Sequence, residues 1–432
     1  MRELYLLVAS LWLAQPVLAD TLPATDDLTL SQATTEAIRQ DDWLTANRLQ
    51  QQALENQAIA AGTFADPVIS LSAANLPSDT LSLHQEGMTQ MKLGISQSFP
   101  QGKTLSLTRK KLRQQAQGMP FERELRNATL TLTIRQLWFQ AWLAQQSMAL
   151  IGERRAIFEQ LVDVTESRYQ SATGKTRQQD VIKAKLALTR LDDRITQLQL
   201  QYDTAHQQLS QYLPAEMLAG PMAPQLPMIK LIQDISVNDW QRLAPALAAH
   251  PQVRAFDAKL KASQTQIDIA KQKYYPAWGV NAGYGWRDDS TMGAKRADLI
   301  SVGVQFSVPL FTANRQDQTL SAARHNAAAQ NARRNLIINA LRARYQRDRQ
   351  QLQRLDERDH RYQQTLLAQF HQQSQASLNA YTADVDDFAD VMQAYIAELD
   401  AQLQALSIHA AQQQTRADLA YLLAGLATQG EH

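Results

Sequence analysis

The sequence contains no cysteine. That excludes disulfide frameworks, thiolate metal sites, thiol nucleophiles and an N-terminal lipid-modified cysteine. Glycine and proline are sparse, 15 and 14 in 432 residues. The remainder is rich in Ala, Leu, Gln and Arg, a composition that favours long helices and coiled coils over a compact mixed domain. Charge of one sign is lacking as well: 43 Lys+Arg stand against 42 Asp+Glu. Neither a basic surface for nucleic acid nor an acidic tail is indicated. The eight histidines show no metal-ligand spacing, with no HExxH and with His360 and His371 lying 11 apart. Nucleophile elbow, Walker loop and dinucleotide fingerprint are all missing. These absences point away from an enzyme and away from any cofactor or resident metal.

Long hydrophobic runs are also missing. Residues 4–13 form an apolar stretch behind Met1-Arg2, and Val17-Leu18-Ala19 offers small residues for cleavage before Asp20. Residues 1–19 therefore read as a signal peptide. The stretch is too short to span a bilayer, which takes about 20 apolar residues. Any insertion into a membrane would have to use strands.

What is present is a duplication. Pro67 and Pro276 each follow a helical stretch and open an alternating run, 209 residues apart. Pro100 in "GISQSFP" and Pro309 in "GVQFSVP" each close such a run, also 209 apart. Two landmarks with one offset indicate two copies of helix, strand, strand, helix, helix, in residues 20–227 and 228–432, with strands within 66–99 and 276–309. Helices are expected over about Leu30 to Phe64 and Asp239 to Tyr275. Very long ones are expected over about Gly102 to Arg168, interrupted at Gly118-Met119-Pro120, and Asn314 to Gln373. About 60 helical residues reach roughly 90 Å. A turn follows in each copy, "SATGKTRQQD" and "SQASLNAYTAD", then a returning helix. Its apolar residues step by three and four: Val181, Ala184, Leu188, Leu191, Ile195 onward, and Val385, Ala389, Met392, Ile396, Leu399 onward. That is a coiled-coil seam.

The strands carry most of the functional information. Val280, Ala282, Tyr284 and Trp286 alternate with Gly279, Asn281, Gly283 and Gly285, behind Trp278. Ile300, Val302, Val304 and Phe306 alternate with Ser301, Gly303, Gln305 and Ser307; Met91, Leu93, Ile95 and Phe99 alternate with Lys92, Gly94, Ser96 and Ser98. Small polar residues on one face and apolar residues with aromatics near the ends of the other match a transmembrane β-barrel wall. An amphipathic strand on a soluble core would alternate too, but would not need aromatics at both ends. Phe99, Trp278, Tyr284, Trp286 and Phe306 are then the lipid-facing aromatics. Four strands cannot close a barrel, and an open edge in lipid leaves backbone groups unpaired. Several chains must share one barrel: two would supply eight strands, three would supply twelve. An eight-stranded barrel is filled by its own side chains, so a conducting pore favours three.

In these features the sequence resembles the TolC family of outer-membrane efflux proteins. The resemblance runs from "LTLSQATTEAI" to "ADLAYLLAGL" and is best in "GISQSFPQGKTLSL", "RYQSATGKTRQQDVIKAKLAL" and "AHPQVRAFDAKLKASQTQIDIAKQKYYPAWGVNAGYGW". It implies an α+β membrane protein: a homotrimer with a shared twelve-stranded β-barrel in outer-membrane lipid, above a long antiparallel α-helical coiled-coil barrel crossing the periplasm. A smaller belt would form from the proline-rich link (214–227), the segment before Trp240 and the C-terminus. The implied partners are a periplasmic adaptor and an inner-membrane pump that supplies the energy. "GMTQMKLGISQSFPQGK" resembles the branch serving heavy-metal resistance-nodulation-division pumps, although its methionines also read simply as apolar strand residues. The family's acidic periplasmic gate maps onto Asp387 and Asp390 in "DDFADVM", with Asp384 and Asp386 beside them. Gly174 and Asp180 mark the other tip and an adaptor contact. Some members latch the tip with a basic residue four positions before the first aspartate; Ala383 stands there. The rival readings are a periplasmic adaptor, which carries one hairpin and not two, and a structural coiled-coil protein of the envelope, which needs no alternating strands.

Overall fold

The computed structural model describes residues 27–171, 177–231, 235–236, 239–383 and 387–427. The signal-peptide reading of residues 1–19 lies outside them. In chain order the elements are α1 (Leu30–Arg39), α2 (Asp42–Ala60), β1 (Val68–Ala74), β2 (Gln90–Phe99), α3 (Thr104–Ala116), α4 (Met119–Gln170), α5 (Gln178–Leu209) and α6 (Ala215–Leu218). The second half follows with α7 (Trp240–Ala248), α8 (Pro251–Gln272), β3 (Ala277–Trp286), β4 (Leu299–Ser307), α9 (Gln316–Arg361), a π-helical turn (Tyr362–Leu366), α10 (Leu367–Thr382), α11 (Phe388–Leu422) and α12 (Ala424–Ala427). Among the described residues no helix is long and apolar enough to cross a membrane.

The first helical stretch of each half is two helices, not the single one expected. Between α7 and α8 the cause is Pro251, at the first position of α8. Proline pushes the preceding residue out of the helical region, and His250 sits at ψ 134°. The break between α1 and α2 has no proline. Asp41 is extended, at ψ 101°, and its carboxylate takes two hydrogen bonds from Arg126 of α4, at 2.8 and 3.0 Å. Thr29 and Gln32 close a capping box at the start of α1, which satisfies donors left over at a helix N-terminus.

The expected interruption at residues 118–120 is present. Pro120 lies in the first turn of α4, where its missing N–H costs nothing. Gly118 allows a close approach there: a methyl group on it would sit 3.0 Å from Ala258 Cβ of α8. The 52 residues of α4 extend about 78 Å. In the second half the chain is helical from Gln316 to Thr382, nine residues beyond the expected end at Gln373, and it changes to π winding over Tyr362–Leu366.

Helices α4 and α5 form one antiparallel hairpin and α10 with α11 a second. Near the tips they share a core: Ile151, Phe158 and Val162 of α4, Ala184 and Leu191 of α5, Tyr381 of α10, and Val391, Met392 and Leu399 of α11. The seam reading of α11 was too narrow. Met392, Leu399 and Leu403 are buried as expected, but so are Val391, Ala394, Ala401, Ala405 and Ile408, because α11 contacts α4, α9 and α10 together.

A second core surrounds Trp138 and Phe139, both fully buried. The proline-rich link packs on it. Leu28 bridges Met222 in parallel, Trp142 Nε1 donates to the Pro224 carbonyl at 2.9 Å, and Ile229 N donates to Gln413 Oε1 of α11 at 2.9 Å. A third core joins Leu243, Leu247 and Val253 to Tyr345 and to Leu419 and Leu422. Beside it Arg344 of α9 holds Asp418 of α11 at 2.5 Å, and Gln136 of α4 donates to the same carboxylate at 3.2 Å. Asp348 is buried in this charged knot. Loss of solvent raises its pKa, and Arg347, bonded at 2.7 Å, opposes the rise.

His250 is fully buried and lies edge-on to Tyr421, centroids 5.1 Å apart. Its Nδ1 accepts the Gln252 N–H at 3.2 Å. Desolvation first, and Arg344 second, lower its pKa from 6.5 to about 4. The native state therefore holds the neutral ring. Its contribution is complete above about pH 6.5 and is lost as pH falls toward 4, by up to about 3 kcal/mol. His250→Asn keeps a capping acceptor but cannot titrate. Denaturant unfolding of this variant should lose less stability than wild type between pH 6.5 and 4; parallel curves would remove the assignment.

Candidate functional site

Two places carry the residues singled out from the sequence: the sheet and the helical tips. The four strands form one antiparallel sheet in the order β1-β2-β3-β4. The central pairing joins residues 179 to 195 positions apart, Phe99 opposite Trp278 through Met91 opposite Trp286. Residues directly opposite share a face, so the register sorts every side chain. One face carries the rows Phe99, Trp278, Phe306; Gln97, Val280, Val304; Ile69, Ile95, Ala282, Val302; Leu71, Leu93, Tyr284, Ile300; and Ala73, Met91, Trp286. All five aromatics expected on the lipid side are on this face. Phe99, Trp278 and Phe306 form a band at the helix end, and Tyr284 and Trp286 lie at the loop end. The face is bare of other protein: Ile300 is 81% exposed and Val302 79%.

The helix-end band is ordered by ring contacts. Phe99 stacks on Trp278 with centroids 4.2 Å apart and planes 16° from parallel, and Phe64 meets Phe99 edge-on at 5.4 Å. Such pairs contribute about 0.5–1.5 kcal/mol beyond the area they bury. Phe64 makes Phe99 the most covered of the five. These rings line a cavity of about 660 Å³ where sheet and helices meet. Gln97 is the polar exception on this face, and its amide donates to the Ala65 carbonyl at 2.8 Å.

The other face is small and polar: Ser98, Gly279, Gln305; Ser96, Asn281, Gly303; Ser70, Gly94, Gly283, Ser301; and Ser72, Lys92, Gly285. Val68 and Leu299, at strand starts, are its apolar exceptions. Polar side chains here lie flat across glycines on the facing strand. A methyl on Gly303 would come within 2.5 Å of Asn281 Oδ1, and one on Gly94 within 2.7 Å of Ser70 Oγ. The glycines thus let neighbouring side chains lie down, which leaves this face smooth.

The two hairpin loops at the far end of the strands are tied to each other. Arg287 donates to the Gly87 carbonyl at 3.1 Å and Arg296 to the carbonyls of His84 and Glu86 at 3.3 and 3.1 Å. His84 and Asp288 lie 2.8 Å apart.

At the tips, Asp387 is the N-cap of α11 and Asp390 lies in its first turn, both exposed. Negative charge there suits the helix dipole. The Asp390 N–H donates to the Asp387 carbonyl at 3.1 Å. Beneath them Tyr381 meets Phe388 edge-on at 5.7 Å, and the Arg168 guanidinium of α4 sits 4.5 Å over the Tyr381 ring. Asp180 is at the equivalent turn of α5. Its carboxylate accepts the Arg177 N–H at 2.9 Å, so it serves its own helix start. Gly174, Asp384 and Asp386 lie outside the described residues. Ala383 ends α10. Among the described residues no group of three or more His, Asp or Glu is placed to hold a metal. His371 instead bonds Glu398 at 3.0 Å and His409 bonds Asp359 at 2.8 Å.

Residues 243–425 match the family model described as outer membrane efflux protein. That stretch is under half of the chain. The chain is similar to the nickel and cobalt resistance protein CnrC of Cupriavidus metallidurans, 38% identical over 91 residues, which cover 20% of this chain and 19% of that protein. It is also similar to protein CyaE of Bordetella pertussis, 27% identical over 206 residues, covering 45% of this chain and 41% of that one. The matched stretches thus span less than half the length of either relative. Among solved structures, the outer membrane protein VceC of Vibrio cholerae superposes with a TM-score of 0.75 at 15% identity, over 91% of this chain and 96% of that one. At that identity the likeness is one of fold.

The two-faced sheet makes a direct test. A lysine on a lipid face costs about 2–4 kcal/mol near mid-depth and far less on a lumen face. Val302→Lys should abolish the heat-modifiable assembled species extracted from outer membranes, whereas Gln305→Lys, on the opposite face, should retain it. Equal behaviour of the two variants would contradict the assignment of faces.

Proposed function

We propose that this chain is a subunit of a passive outer-membrane channel in a tripartite efflux pump or type I secretion system. Three copies would close a twelve-stranded barrel, and their hairpins would form a tunnel reaching a periplasmic adaptor and an inner-membrane pump. The domain division is proposed likewise: repeats 20–227 and 228–432 after a cleaved 1–19 segment.

The observation that carries this is the sheet. It has an exposed apolar face banded by aromatics at both ends, a smooth polar face, and edges at β1 and β4 with no partner strand among the described residues. Ten residues in β2 or β3, tilted about 45°, rise roughly 24 Å, which matches the ~25 Å apolar band of outer-membrane barrels. Each unpaired backbone group in lipid would cost several kcal/mol, and pairing β4 of one copy with β1 of the next removes both open edges. Three copies give a barrel wide enough for an aqueous lumen; two give one filled by side chains. Similarity to a nickel and cobalt resistance protein supports a place beside heavy-metal exporters, with a resistance-nodulation-division pump as partner. The adaptor reading accounts for neither the second hairpin nor the bare apolar face.

Asp387 and Asp390, three residues apart at the start of α11, would put six carboxylates round a threefold axis. A ring of this kind favours cations. Gly174, Asp180 and Asp384 belong to the same proposed end, as adaptor contact and gate.

Purified protein in planar bilayers, with its mass in detergent measured alongside, tests the proposal. Stable pores from a three-chain species are expected. A soluble monomer without pore activity would overturn it. In the same recordings, Asp387→Asn with Asp390→Asn should weaken block by multivalent cations added on the tip side, and unchanged block would remove the gate assignment.

A further inference from the structure

We propose that Lys92 forms an anion-favouring, cation-repelling collar inside the sheet-lined part of the conduit, a selectivity element separate from the acidic tip. It rests on the channel reading above, with the polar face as the lining.

Lys92 is the only charged residue in the four strands. It lies on the polar face, in the row of Ser72 and Gly285. Its stem is seated by a glycine: a methyl on Gly283 would lie 2.9 Å from Lys92 Cε. Gly283 is one row nearer the helices, so the side chain leans away from the loops. Several charged groups at the loop end are already engaged. Arg287 and Arg296 hold backbone carbonyls, the Asp298 carboxylate accepts the Arg287 N–H at 3.0 Å, and Asp288 faces His84. Among the described residues Lys92 has no hydrogen-bond or ion-pair partner. The rest of this face offers hydroxyls, amides and bare backbone, so nothing on it neutralises the ammonium.

Threefold repetition would place three such ammonium groups at one depth. Rings of lysine or arginine select anions by the same logic by which rings of carboxylates select cations. The conduit would then be electrically bipolar: cations are attracted at the periplasmic tip, while small anions are favoured and cations repelled in the barrel. A purely structural role, a stem covering the Gly283 backbone, would require the methylenes and not the charge.

Reversal potentials across a KCl gradient separate the two. Lys92→Arg should keep the wild-type value. Lys92→Gln and Lys92→Met, the latter preserving the stem, should both shift toward cation preference, and Lys92→Glu should shift further. Block by ferrocyanide added on the barrel side should weaken at least about fivefold in Lys92→Met, since one pair of unit charges at contact distance in water already accounts for that factor and each assembly loses three ammonium groups. Reversal potential and block unchanged in Lys92→Met and Lys92→Gln, at wild-type conductance, would overturn the collar. Should Lys92→Glu fail to assemble, these two neutral variants decide the matter. Wild-type protein without pores would instead overturn the channel reading itself.

Discussion

Backbone pairing at a sheet edge is the constraint on which the rest of this molecule depends. Four strands give two outer rows of N–H and C=O groups, on β1 and β4. In water those rows can be solvated. Against lipid they cannot, and the exposed apolar face of the same sheet marks the side where lipid would be. The proposed assembly follows from satisfying both conditions at once. It also accounts for why a polypeptide with 15 glycines places so many of them on one sheet face. There they keep the lining low, and they let Ser70, Asn281 and Lys92 lie across the facing strand.

The helical part meets a related constraint by other means. Even a long helix such as α4 draws most of its stability in a folded protein from tertiary packing. Here α11 supplies that packing. It runs past α4, α9 and α10, and it buries residues well beyond a single seam. Polar anchors fix the arrangement where apolar contact alone would let helices slide. Asp418 ties α11 to α9 and α4, Gln413 ties it to the link, and Glu398 ties it to α10 through His371 and Ser374.

Much of this was legible in the sequence, for identifiable reasons. Pro67, Pro100, Pro276 and Pro309 bracket alternating runs because proline cannot take part in a central ladder, and each run holds a strand. The alternation itself separated the two faces, and all five aromatics fell on one of them. Pro120 announced the break before α4. What was not legible depends on contacts distant in sequence. The break at Asp41 is fixed by Arg126, 85 residues away. The pairing of β2 with β3 spans the interval between the two halves. The width of the α11 contact surface reflects several neighbouring helices, which a single-helix periodicity does not report. The π turn at 362–366 and the run of α10 to Thr382 left no mark in composition, since no glycine or proline accompanies either.

The two tips show how one local backbone arrangement can take on unlike electrostatics. Arg177 and Asp387 hold the same N-cap position, before α5 and α11 respectively, and Asp180 and Asp390 hold the same place in the first turn. In both, the third-turn-position N–H reaches back to the cap carbonyl, Asp180 N to Arg177 O at 2.9 Å and Asp390 N to Asp387 O at 3.1 Å. The backbone solution is therefore shared. The side chains are not: the first tip has an arginine and an aspartate near its helix start, and the second has two aspartates. Two negative charges beside one helix N-terminus are favoured by its dipole, but they repel each other and their symmetry copies wherever copies converge. Repulsion of that kind is relieved by a cation or by separation. A tip built on Asp387 and Asp390 is thus held together chiefly by the apolar floor beneath it, Tyr381 on Phe388 with Arg168 stacked above the ring.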